Sequence, residues 1–411
     1  MNHLRKYLFL PVLLSLLFFA CNEEEPAKAS IDTIERTAWE GAMYPDIVIG
    51  PDGAAYITYL KPIDSLQYGL YLEKVLPLDE LTAPILVASD SNWFVNWADF
   101  PTLAVTPELM VVSWLKKSAE GTFDYDIMVA LSADKGANWS APTKLHNDTV
   151  HTEHGFVTLA AHTDGSVQAV WLDGRNAGGG HEGHHGHGAM SLRAARILPD
   201  GTITSRVELD NRVCDCCQTD LVMSTAGPVV AYRDRMDPEI RDISLAVLRD
   251  TVWETGLRVG DDNWDIAACP VNGPALDARE DKVLVARFTG AQGDARVLVT
   301  THDLSTGVEG KSLRMDNMAP IGRVDASWLP DGHAVVSWVE RDKEHAALRL
   351  AILDMENGLV QQKVRVADYD PARISGFPRM KVIGETIYLI YSQTRETHGK
   401  DQIIMQRVIF S

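Results

Sequence analysis

Residues 154–175 read HGFVTLAAHTDGSVQAVWLDGR: an apolar stretch, a turn carrying Asp164 and Gly165, then a second apolar stretch ending on charge. Apolar and polar residues alternate within it at the period of a strand. The phrase recurs as YPDIVIGPDGAAYITYLK from Tyr44, FPTLAVTPELMVVSWLKK from Phe100, TDLVMSTAGPVVAYRDR from Thr219, NGPALDAREDKVLVARF from Asn272, GRVDASWLPDGHAVVSWVER from Gly322 and GFPRMKVIGETIYLIYSQ from Gly376. A third and often a fourth strand follow, such as YDIMVALSAD or LRLAILDM. Phrases spaced roughly 50–65 residues apart, a little more than the ~40–50 of familiar blade repeats, predict an all-β chain. The fold they imply is a β-propeller of seven blades, or six if one phrase is spent closing the ring. Two β-sandwiches would explain the even repeat poorly. The last unit, from Gly376 to Ser411, is short. It is expected to borrow a strand from the segment near Ile31–Ala38, which would close the ring and hide its edges.

Outward from the repeats, the N-terminus reads MNHLRKYLFLPVLLSLLFFAC. Arg5 and Lys6 precede an apolar run, and Ala20 stands directly before Cys21. This is the layout of a secretory signal. The run is shorter than the ~20 residues that a membrane span needs. Ala20-Cys21 resembles a bacterial lipobox, which implies a signal over 1–21, lipidation at Cys21 and a chain exported to the cell envelope, with the outer membrane as its site. Residues 22–30 read as a flexible acidic tether, leaving 31–411 as one propeller domain. The formal net charge is −19. That excludes a nucleic-acid partner, which wants a basic face. Contact with the membrane is expected through the lipid alone.

One motif is sharper than the repeats. Ser132, Asp134, Gly136 and Trp139 match S-x-D-x-G-x-x-W, the Asp-box, in which Asp and Gly form a turn between outer strands and Trp packs below it. The chain therefore resembles the sialidase-like, BNR-repeat propellers. The resemblance implies a glycan ligand and, if the chain is an enzyme, a glycoside hydrolase of exo-sialidase-like type. The family's F-R-I-P motif, arginine triad and Tyr–Glu pair are not matched. The nearest sequence, Phe377-Pro-Arg379-Met, is at the wrong end of the chain and in the wrong order. The box is structural in that family and carries no catalysis. Hydrolysis would need an acid and an activated nucleophile; the candidates are Asp99, Asp234, Glu239 and Tyr391.

In a propeller the loops after the second strands share a face with the loops that link blades. The second strands end on Lys116, Asp173, Arg175, Arg233, Asp234, Arg235, Arg287, Glu340 and Arg341. The arginines among them could hold a carboxylate or sulfate bidentately, or could pair with neighbouring acids at a solvated rim. These residues are the candidate site for a glycan or other anionic ligand.

Two further features suggest another class of function. His181, His184, His185 and His187 lie among glycines in the third repeat, a composition able to bind metal or simply a polar insertion. Cys214, Cys216 and Cys217 precede the fourth repeat, and Cys269 precedes the fifth. Thiols in an exported chain most often form disulfides, so a bridge from Cys269 to the CxCC segment is expected, with a second bond possible. The rival is a copper or zinc site, with His154 joining the thiolates. The second expectation for function is therefore a metal-binding or redox accessory protein of the envelope. A third is a propeller scaffold with no small ligand.

Overall fold

The computed structural model describes residues 29–34, 36–178, 188–317, 319–342, 345–395 and 400–410. The proposed signal, Cys21, most of the tether and the four histidines from His181 to His187 lie outside them.

Seven antiparallel sheets form the molecule. Their first strands are Met43–Ile49, Thr102–Val105, His154–Ala161, Asp220–Ser224, Ala275–Arg279, Pro320–Trp328 and Arg379–Ile383. Each of these strands touches the next, and the seventh touches the first, so the sheets stand as blades around one axis. The chain is a seven-bladed β-propeller.

The burial pattern explains why the repeats were visible. In blade 3 the second strand, Val167–Asp173, is buried at every position. It is covered on both faces by neighbouring blades, so it carries a near-continuous apolar run. The outer strand of the same blade, Ile203–Val213, is mostly exposed and reads ITSRVELDNRV. Blade 7 has three strands from the C-terminus and takes its fourth from the N-terminus. Ala29 pairs with Phe410 and Ile34 with Met405 across antiparallel strands. The borrowed strand is Ala29–Ile34, slightly earlier than expected; Thr37–Trp39 forms a 3-10 turn instead. Trp39 is buried there and donates from Nε1 to Glu73 Oε1 at 3.0 Å.

The Asp-box segment forms its turn. Ser132 Oγ accepts from the Gly136 amide, Asp134 Oδ1 accepts from the Asn138 amide, each at 2.8 Å, and Trp139 Nε1 donates to the Gly136 carbonyl at 3.2 Å. Gly136 has φ +88°, with Leu72 close behind it, which favours glycine at this position.

On the face where first strands begin, the linking loops meet across the axis. Trp97, from the loop between blades 1 and 2, stacks on Phe377, from the loop between blades 6 and 7, with centroids 5.7 Å apart. The buried Arg323 guanidinium lies over Trp97, Phe377 and Tyr369 and donates to the Ala372 carbonyl at 3.0 Å. A cavity of about 430 Å³ is lined by residues from the first strands of all seven blades.

Candidate functional site

The linking-loop face holds the cysteines. Cys214 follows the outer strand of blade 3, and its amide donates to the Arg233 carbonyl at 2.9 Å, tying the loop to the end of blade 4's second strand. The loop then turns back on itself. The Cys214 and Cys217 sulfurs are 3.6 Å apart, and those of Cys214, Cys216 and Cys217 all lie within 4.8 Å of one another. Cys269, from the next linking loop, reaches Cys216. All four are free thiols, so the expected bridge to Cys269 is not formed. The sulfurs converge without bonding. Cys214 and Cys217 are buried, while Cys216 and Cys269 are partly exposed.

Arginines organise this cluster. Arg241 Nη1 lies 3.4 Å from the Cys214 sulfur and is itself held by Glu239 at 2.9 Å. Hydrogen bonds from Cys216 and Cys217, reinforced by Arg233 and Arg241, hold the Cys214 thiol well below its ordinary range. Burial pushes Cys217 up, and donation to Cys214 pushes Cys216 up. The cluster thus favours ionisation at Cys214 over its neighbours. Arg233 is itself buried. It donates to the Asn272 carbonyl at 2.8 and 3.1 Å, to Arg241 O at 2.6 Å and to Phe288 O at 2.8 Å. It fastens the loop that carries Cys269 to the strand beside the CxCC segment.

Most of the other charged candidates are also held by internal partners. Arg235 is bidentate on Glu239 and lies 3.6 Å from Asp215. Arg287 is buried against Asp262 at 2.9 Å. Arg175 grips Asp173 at 2.7 Å and Asp148 at 3.0 Å. Glu340 accepts from Trp338 Nε1 at 3.0 Å and pairs with Arg349. Lys116 pairs with Asp90 at 2.6 Å. Arg341 is exposed. These contacts leave most of these charges paired within the protein.

The four acid and nucleophile candidates do not come together. Glu239 belongs to the arginine cluster, and Arg235 holds its carboxyl down to about 2. Asp234 accepts from Ser244 at 3.0 Å, and burial pushes it up to about 6. Tyr391 is buried in blade 7 against Tyr369. Asp99 accepts from the Phe156 amide at 2.8 Å, and burial raises it well above the carboxylate range. Its neighbours are Tyr125 and Glu153, which sequence reasoning missed. Tyr125 donates to Glu153 at 2.7 Å, and burial pushes Glu153 up to about 7. Phe94 stacks on the Tyr125 ring at 4.1 Å and buries it.

His154 does not join the thiols. Its ring stacks on His146, with centroids 3.9 Å apart, among Asp126, Asp148 and Asp173. No sequence pattern marked His146 or Arg241.

The central cavity holds a further charged set. Asp46, Asp220, Asp277, Arg379 and Lys381 line it. Arg379 donates to Asp46 at 2.9 Å and lies 3.7 Å from Asp325.

This architecture is shared with known structures at low identity. A protein of unknown function from Dyadobacter fermentans superposes with a TM-score of 0.52 at 13% identity, covering 93% of this chain and 98% of that one. The polysaccharide lyase Uly1 gives 0.52 at 9% identity over 89% of each chain. The endosialidase of phage phi92 gives 0.52 at 10% identity over 94% of this chain and 70% of that one. Sialidases and an arabinofuranosidase also match, at lower scores. No family model matches the chain, and no curated protein does. The class is thus a seven-bladed propeller of sialidase-like fold.

Proposed function

We propose that this chain is an exported propeller, anchored through Cys21, that binds a thiophilic metal ion, copper(I) or zinc, between blades 3 and 5. One observation carries the reading: four thiols from two linking loops converge, three of them with sulfurs within 4.8 Å of one another. Thiolate is the ligand that selects such ions. Arg233 and Arg241 supply the positive field that favours thiolate, and Arg233 fixes the spacing of the two loops before any ion arrives. A preordered ligand set loses less entropy on binding than a flexible one. His181, His184, His185 and His187 are, as residue types, further metal ligands in the same chain. In an oxidising compartment a bound metal would also protect the thiols from pairing with one another.

The test is anaerobic titration of the reduced full-length protein with copper(I) and with zinc against a competing chelator, together with X-ray absorption at the metal edge. The expected result is saturable uptake with a sulfur-dominated shell, lost in Cys214→Ser and in Cys269→Ser. Uptake unchanged in both folded variants would overturn the proposal.

A second reading, glycan recognition, is supported by the charged central cavity and by a fold whose neighbours include a polysaccharide lyase and an endosialidase. Its ligand would be a saccharide whose hydroxyls meet Asp220 and Asp277 and whose acidic group reaches Lys381. Calorimetry on acidic oligosaccharides should show binding that Lys381→Ala weakens; no heat from any of them would remove this reading.

A further inference from the structure

His146 and His154 stand where the loop linking blades 2 and 3 meets the ends of their strands, and both side chains are fully buried. Each has one ring nitrogen committed. His154 Nδ1 lies 3.2 Å from the carbonyl oxygens of Tyr125 and of Thr152. Carbonyls only accept, so that nitrogen carries the proton. His146 Nδ1 lies 2.9 Å from Asp148 Oδ2, a carboxylate anchored in turn by Arg175. The proton on His146 belongs on this side as well. Both Nε2 atoms are therefore left with a lone pair, and neither makes a hydrogen bond. Asp126 Oδ1, 3.3 Å from His146 Nε2, is a third buried atom without one. Lys144 takes the other oxygen of Asp126 at 2.6 Å.

Three buried acceptors facing one another repel, and each lacks the partner that buried polar atoms normally have. A bound cation removes both problems. We infer that His146 Nε2, His154 Nε2 and Asp126 Oδ1 form a second metal site, for a borderline divalent ion such as Zn²⁺, separate from the thiol cluster. The three residues offer ligand atoms within 4.8 Å of one another; the two rings stack parallel with centroids 3.9 Å apart, so they must tilt apart for both lone pairs to meet one ion. Two imidazoles and a carboxylate are a donor set that zinc accepts. The contacts behind them follow the same logic: metal-bound histidines give their second N–H to a carboxylate or a backbone carbonyl, and here one does each. Asp148 and Asp173 add negative charge at the rim, with His154 Nε2 3.2 Å from Asp148 and 3.8 Å from Asp173. The facing cations are Lys144, Arg175 and Arg193, the last 3.8 Å from Asp173. They offset the charge of the carboxylates.

The site does not depend on the proposed thiol function, and Co²⁺ as a probe separates the two. Cobalt held by nitrogen and oxygen gives visible bands without the intense sulfur charge-transfer absorption of a thiolate site. The full-length protein should show both signatures as Co²⁺ is added. His146→Gln and Asp126→Asn should each weaken the nitrogen–oxygen component at least 10-fold, in line with the loss of a ligand, and leave the sulfur band in place. Zinc should raise the melting temperature of the native protein more than that of His146→Gln. Circular dichroism of the metal-free variants tests that they fold. If one does not, the spectrum of the native protein still decides: cobalt uptake with sulfur bands alone overturns the site. So does a nitrogen NMR spectrum showing His154 protonated at both ring nitrogens at neutral pH with zinc present in excess.

Discussion

Arg233 illustrates how a residue's role depends on partners far away in sequence. Its position at the end of a second strand suggested a hand for an anionic ligand. Its guanidinium instead bonds three backbone carbonyls from Asn272, Arg241 and Phe288. Nothing in a single strand announces those partners. The same holds for Arg235, whose acid comes from the loop that follows, and for Arg287, whose acid is 25 residues away. Asp234 is a residue whose protonation the fold shapes. Burial lifts it from an ordinary 3.8 to about 6. A folded-state pKa above the unfolded one means that the ionised form destabilises the fold. The native protein gains stability as pH falls through about 6, and the effect is complete once the unfolded chain protonates near 4. Asp234→Asn should accordingly raise stability at pH 8 by on the order of 2 kcal/mol. Urea unfolding at a series of pH values should show that gain shrinking toward zero at pH 4. A gain independent of pH would show that the carboxylate charge is not the cause.

At the scale of elements, the first and second strands were legible because neighbouring blades cover both their faces. The outer strands were not. Val252–Val259 reads VWETGLRV and is largely exposed, so it lacks a clean signature of either period. The linking loops that hold the site carry no period at all. The four cysteines stood out by residue type alone. His146, Asp148 and Asp126 did not, because each is unremarkable until the loop brings it to its partners. The closing strand was legible by arithmetic: a final unit short of one strand needs one from elsewhere. Ala29–Ile34 supplies it, with Ala29 and Ile31 packed against the core shared by blades 6 and 7. Removing residues before Arg36 should expose the edge of Lys400–Phe410 and lower the melting temperature by several degrees, about 2–4 °C for each kcal/mol lost in a domain of this size. Differential scanning calorimetry tests this. An unchanged transition would mean that three strands suffice to close blade 7.

For the whole molecule, the propeller explains why a sialidase-like fold and an unusual site can coexist. Blades form a rigid ring, and the loops on one face vary without disturbing it. Here Trp97, Phe377 and Arg323 pack together where the linking loops of blades 1 and 2 and of blades 6 and 7 meet, while chemistry-bearing side chains gather in the sector of blades 2 to 5. The fold class could be read from the repeats. The position of the thiols in that sector could be read from their place between repeats. Their state could not, because four sulfurs at such a site can bond to one another or to an ion, and the choice is a matter of distances. In the structure they converge as thiols. The most direct test is native mass spectrometry of the protein taken from the compartment that makes it, without added reductant or chelator. The account predicts a mass that includes copper or zinc and, once acid has stripped the metal, a chain whose four cysteines carry their hydrogens rather than disulfides. A metal-free chain lighter by the hydrogens lost to stable disulfides would contradict it.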